Sequence, residues 1–340
     1  GMLMGGLLAD CVVSGNVTWG GFLPAGGGIY TLRDTLITNL VVINNRVQYH
    51  GGGIVLGTNA ALLASTVAGN LASNGSGGAV WALAGARLAR CQLRHNRSAA
   101  AGAALQCAAG VTVEWCLIEY NASHAYNGDG AVSLAPGCLL SHSIIRANTA
   151  TRNGAGVYCA QGGHVRNCVV SSNSTPSYSG GGVYCNAGGT IESCTISANK
   201  ASSGPGIYIK TTGTVVNCIV YHNGGIGYSQ IWGDMSGARV RYTCTSPLVS
   251  GEGNTNADPR CVNAGDEEYH LQASSPCLDA AQAQPWMATA TDLDGTPRII
   301  GAAPDMGAYE RGPLVCSFNG SPRAGKLSVP VRFIAYVSGT

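Results

Sequence analysis

Between residues 5 and 230 the apolar and polar positions recur with a fixed spacing. An aliphatic residue follows a glycine-rich triplet at Ile29, Ile54, Val80, Leu105, Val132, Val157, Val183 and Ile207. About sixteen residues later the unit closes on Asn45, Asn70, Asn96, Asn121, Asn148, Asn173, Asn199 and Asn223. Both series advance by the same seven steps: 25, 26, 25, 27, 25, 26 and 24. Length variation is therefore confined to the segment between each asparagine and the next glycines. An earlier unit ends at Asn16, which makes nine.

Inside each unit the position eight before the asparagine is aliphatic, from Leu8 to Val215, and so is the position three before it, from Val13 to Val220. The position five before is small in all units but one: cysteine at 11, 91, 116, 168, 194 and 218, serine at 65 and 143, with Leu40 the exception. This pattern predicts two very short strands separated by a bend, with a third strand after the glycines, as in Val157-Tyr158-Cys159. A repeat of about 25 residues with three short strands and no helical period fits a solenoid of stacked parallel strands. Stacked asparagines can both donate and accept along such an axis. A second, partial polar column lies six before the first, at Asn39, Asn167 and Asn217, with Asp10 and Ser193 in kind.

Composition narrows the picture. The 340 residues include 50 glycines, only 11% are charged, and the net charge is +2. Collagen is excluded because the glycines lack a three-residue period. The balanced charge argues against a nucleic-acid partner, and no apolar run is long enough to span a bilayer. The Gly1-Met2 start reads as a remnant of tag cleavage on an internal fragment. The fourteen cysteines fall mostly at two inward repeat positions. In-register neighbours point their Cβ atoms the same way, so reduced, stacked core thiols are expected rather than bridges. Cys261 and Cys277 lie outside the repeat and are the best pair for a disulfide.

The stretches GGGVYCNAGGTIESCTISAN and GAGVYCAQGGHVRNCVVSSN resemble right-handed parallel β-helix repeats, as in pectate lyases and many secreted proteins. The resemblance implies an all-β fold: a right-handed single-stranded parallel β-helix of about nine coils over residues 1–230, followed by an irregular C-terminal cap. Residues 231–310 carry Asp258-Pro259, Tyr269-His270-Leu271, Ser275-Pro276-Cys277, Asp294-Gly295-x-Pro297-Arg298 and Asp305-Met306-Gly307-Ala308-Tyr309-Glu310. They resemble the choice-of-anchor Q region, which implies extracellular or cell-surface residence. Residues 311–340 resemble a linker and the opening strands of a PKD-type β-sandwich. Asp292, Asp294, Asp305 and Glu310 suit turn chemistry better than a calcium site. No cofactor or metal is expected, with calcium left open.

Groove-bearing β-helices of this family bind along the strand after the glycines. Here its outward column holds Tyr30, Val55, Trp81, Gln106, Ser133, Tyr158, Tyr184 and Tyr208. Tyr158, Tyr184 and Tyr208 would form an aromatic stripe, with Trp81, Tyr126, Tyr178, Asp129 and Arg152 completing the candidate ligand-binding set. Sugar rings pack on such faces, whereas rings in register also stabilise a sheet by stacking on each other. Arg94, Glu119 and Arg146 stand in three successive units and would form a stacked ion-pair ladder. Two functions fit. One is a monomeric surface or secreted protein that binds a polysaccharide or surface glycan. The other is a polysaccharide lyase or hydrolase using the region of Asp129, Arg152, His124 and Lys200; no catalytic pair is evident for it.

Overall fold

The computed structural model describes residues 2–3, 5–19, 26–124, 129–225 and 229–312. The start of the PKD-like segment therefore lies outside the described residues, as does Tyr126. The predicted strands form, and a fourth joins them in each coil. In one coil these are Val183–Cys185, Thr190–Glu192, Thr195–Ser197 and Lys200–Ser203. Equivalent strands of successive coils pair in parallel, giving three ten-stranded sheets and one nine-stranded sheet. Nine coils thus carry all four strands. A tenth, made of Ile231–Gly233, Ala238–Arg241 and Cys244–Thr245, lacks the fourth. The parallel pairing runs one coil past the last asparagine of the repeat.

The chain turns between the second and third strands through a left-handed residue six before each asparagine, such as Asn167 at φ 51° or Asn217 at φ 58°. It turns again one residue before the asparagine, at Asn44, His95, Ser172 and their equivalents. The asparagine itself is spared the left-handed backbone and is used for bonding. Asn173 Nδ2 donates to Asn199 Oδ1 at 3.0 Å and to the Ile145 carbonyl at 2.9 Å. Its Oδ1 accepts from both Nδ2 and the backbone N–H of Asn148, at 2.9 and 3.0 Å. The same arrangement repeats from Asn16 to Asn223, where Gln230 Oε1 takes the place of the next asparagine. Close passage beside this column requires glycine. A Cβ on Gly182 would stand 2.6 Å from the Gly206 carbonyl and 3.1 Å from Asn199 Nδ2.

The interior is one continuous aliphatic and cysteine core. All thirteen cysteines among the described residues are free thiols. Those at the expected inward positions, from Cys91 to Cys218, are buried, and only Cys11 in the first coil is exposed. Cys91 Sγ donates to the Leu62 and Ala89 carbonyls, each at 3.3 Å. Cys261 and Cys277 are free as well, so the pairing expected from the sequence is not formed. Cys277 instead packs in one buried cluster with Cys244 of the tenth coil.

Two different pieces take the place expected of a single cap. Residues 246–256 close over the last coil: Thr255 N–H bonds to the Thr243 carbonyl, Asn254 Nδ2 to that of Val240, and Val249 packs on the core. Residues 258–312, the tail, then run back along the outer side of the later coils. The polar column six before the asparagines anchors them. Asn217 exchanges two 2.8 Å bonds with the backbone of Gln282, and His142 Nε2 bonds to the Thr291 carbonyl at 2.9 Å. Trp286 Nε1 donates to Glu192 at 2.8 Å, and Arg166 lies 4.6 Å over the Trp286 ring. The expected Glu119–Arg146 pair forms at 2.9 Å, and the tail's Glu267 joins it at 3.0 Å. Gly307, at φ 96°, passes so near the third sheet that a Cβ would stand 2.7 Å from Thr195 Oγ1.

The tail is knotted by buried charge. Arg298, fully buried, pairs with Glu310 at 3.1 Å and donates to the Asp305 and Gly307 carbonyls. The acidic residues weighed for calcium accept backbone N–H bonds instead. Asp292 holds those of Asp294, Thr296 and Glu310, and Asp305 holds those of Asp279 and Arg311. Burial pushes Asp305 up and raises Glu310 to about 8, against the pull of Arg298. Burial disfavours a charged His270, but Asp294 and Glu268 outweigh it and raise its pKa. All three groups hold protons more tightly when docked. Their contribution is complete below their unfolded values and is lost as pH rises through the folded ones. His142, lowered by burial, acts the other way in acid, below the ordinary imidazole range. Hydrogen-exchange protection factors of residues 258–312 should therefore fall, relative to the coils, between about pH 6.5 and 8.5. Unchanged protection would show that these groups titrate alike docked and free.

Candidate functional site

The first sheet places its outward residues in one column, because each follows the inward aliphatic residue by one position. Tyr158, Tyr184 and Tyr208 are paired in register. Their rings stack face to face, with centroids 5.4 and 5.1 Å apart and planes 8° and 2° from parallel. Stacking encloses the middle ring: Tyr184 is 6% exposed. The faces expected to receive sugar rings are thus largely spent on each other. What the stripe offers solvent is ring edges and hydroxyls, and none of the three hydroxyls has a hydrogen-bond partner among the described residues. Burial, with Asp129 nearby, pushes the Tyr158 hydroxyl up to about 12, and Tyr184 is raised for the same main reason. Both stay protonated donors at any physiological pH.

The next residue in the column is Trp232, in register with Tyr208 and 52% exposed. Sequence reasoning missed it because the asparagine signal stops at Asn223. The clue present is Ile231, 24 residues after Ile207, with an aromatic following it.

The segments ahead of the first sheet, among them the fourth-sheet strand Ser174–Ser179, bring three more candidates to the other end of the stack. Asp129 Oδ1 accepts from the Asn153 N–H at 3.2 Å. Burial raises the Asp129 carboxyl, while that N–H and the Arg152 charge oppose the rise. The Arg152 guanidinium lies 5.7 Å from the centre of the Tyr178 ring, and Tyr178 is 40% exposed. Trp81 stands apart, three coils before Tyr158, packed at 4.4 Å on His50. The fold therefore gathers Tyr158, Tyr184, Tyr208, Asp129, Arg152 and Tyr178, and leaves out Trp81. Residues 258–312 dock on the third sheet, the bend before it and the adjoining ends of second-sheet strands, so the tail contacts described above leave this column clear.

Among the described residues no three His, Cys, Asp or Glu side chains are grouped to hold a metal ion. No helix among them is long and apolar enough to cross a membrane. Residues 27–190 match the family described as right handed beta helix region. The coils have the architecture that this description names, a stack of parallel strands wound as a β-helix. No curated protein matches the chain. The β-helix supplies a straight, in-register column of outward positions, and unrelated activities are built on such a frame.

Proposed function

We propose that this β-helix is a secreted or cell-surface monomer that binds a neutral polysaccharide along its first sheet. The observation that carries the reading is the aromatic column, in which three stacked tyrosines with unpartnered hydroxyls end on the half-exposed Trp232. An indole face of that kind receives a sugar ring, and a row of hydroxyls then fixes the direction of the polymer. The extracellular assignment rests on the likeness of residues 231–310 to the choice-of-anchor Q region, and protease shaving of source cells tests it.

A glycan array on the purified chain tests the binding. Trp232→Ala should weaken binding about tenfold, a loss of roughly 1.4 kcal/mol, with little change in stability. Tyr184→Ala should behave differently and cost about 2 kcal/mol of stability, since the ring is enclosed. Unaltered glycan binding by Trp232→Ala would remove the platform from the site.

A second reading, a polysaccharide lyase or hydrolase, draws on Asp129. A half-buried carboxyl with a raised pKa beside Tyr158 and Arg152 is the kind of group that moves protons. Release of unsaturated or reducing ends from uronic-acid polymers, lost in Asp129→Asn, would favour it over the binder.

A further inference from the structure

Three thiols meet where the tail crosses the tenth coil. Cys244 and Cys277 are fully buried in one cluster, and Cys261 packs against it. The two buried residues come from opposite sides of the junction, Cys244 from the coil and Cys277 from the tail. Their side chains lie within hydrogen-bond reach of each other across that junction, whereas coil cysteines such as Cys159 and Cys185 stack in register along one sheet. Cys277 is held in place by its N–H on Ser275 Oγ at 3.1 Å and its carbonyl on the Met306 N–H at 2.9 Å. Cys244 Sγ bonds to the Ala257 carbonyl at 3.1 Å.

Cys261 is the one with a route to solvent. It lines an open cavity of about 480 Å³ together with His222, Asp258, Arg260 and Gln272. Arg260 makes no ion pair among the described residues; its Nη1 bonds only to the Ser274 carbonyl. The cavity thus offers the Arg260 guanidinium for a carboxylate, and the Asp258 carboxylate, whose Oδ1 also accepts the Arg260 backbone N–H, for an ammonium group. Those are the charges of a small peptide disulfide such as oxidised glutathione.

We propose that Cys261, Cys277 and Cys244 form a thiol–disulfide relay that enters through this cavity and ends as a Cys244–Cys277 bond fastening the tail to the last coil. The Cys261 thiolate attacks oxidised glutathione, releasing one glutathione thiolate and leaving a mixed disulfide. Cys277, losing its proton, attacks the Cys261 sulfur and releases the second glutathione. Cys244, losing its proton, attacks the Cys277 sulfur and returns Cys261 as the thiol. Two protein thiols are oxidised and one glutathione disulfide is reduced to two thiols. Entry is slow near neutrality, because burial, with Cys277 and Asp258, pushes the Cys261 thiol up to about 12. The rate of the first step follows the thiolate fraction and rises about tenfold per pH unit.

The test incubates the full chain with oxidised glutathione between about pH 7 and 9, then blocks free thiols after denaturation and maps peptides without reduction. The expected product joins the Cys244 and Cys277 peptides with the loss of two hydrogens, at a rate that climbs with pH. Cys261→Ser should slow it by about tenfold or more, and Cys277→Ser should stop at glutathione on Cys261. A Cys244 that stays fully blockable in the wild-type chain would overturn the proposal. So would bond formation at full rate in Cys261→Ser, a rate independent of pH, or equal oxidation of the stacked coil cysteines. The wild-type rate and product map decide the matter even where a variant folds poorly.

Discussion

Asn173→Ala is expected to lower the unfolding free energy by about 3–5 kcal/mol, seen as a large drop in the urea midpoint. The side chain is fully buried and makes four hydrogen bonds in three directions. Truncation leaves the Asn148 backbone N–H without a partner inside the rod and takes one donor from the Ile145 carbonyl. A buried orphan costs about 1–3 kcal/mol, and each lost bond adds to it. Asn199 is hurt less, since its Oδ1 keeps the Asn173 backbone N–H at 3.0 Å. The position of the rung matters. Asn16, at the exposed first coil, only donates to Asn45 and to its own strand, so Asn16→Ala should cost well under half as much. Equal losses at both sites would mean that burial of the ladder contributes nothing.

Arg298→Met should release the tail while leaving the coils folded. The guanidinium is fully buried, and its removal strands Glu310 between Asp292 and Asp305 with no cation. Breaking one side of a buried pair costs about 3–5 kcal/mol. Because the tail adheres through a limited set of contacts, that loss should appear as local opening rather than global unfolding. Limited proteolysis should cut within residues 258–312 and spare the coils, and adding Glu310→Gln should restore part of the resistance. Cleavage throughout the coils would show that the tail and the rod unfold as one unit.

The coils were legible because every layer repeats the same demand. An inward aliphatic, a small residue and an asparagine recur at constant offsets, and stacking requires that constancy. The fourth strand was not legible. It has two residues in most coils, and its inward position accepts Val47, Ala72, Ser98, Ser123, Ala150, Thr175 or Ala201, all buried but mixing apolar and polar side chains. The path of the tail was equally hidden, since its anchors are single residues on different coils. One trace was present: Asn167 and Asn217 depart from a bend position that elsewhere accepts Arg90, Trp115 or Tyr242. They bond to Thr291 and Gln282, so the partial second column marks a docking track as well as a turn. At the candidate site the sequence located the tyrosine column. The enclosure of Tyr184 was beyond it, because ring-to-ring geometry depends on side-chain torsions that spacing does not specify.

The direction of the bonds between coils has a mechanical consequence. Backbone and asparagine bonds alike run parallel to the rod axis, from each coil to the next. A force drawn along that axis therefore loads one interface at a time, and the coils part in sequence like the teeth of a zip instead of shearing together. Contacts of the tail with His142, Asn167, Glu192 and Asn217 tie four successive coils together across three interfaces on one side. Under tension that side should hold while the opposite side gapes, so the rod should bend toward its lashed flank before any later coil peels away.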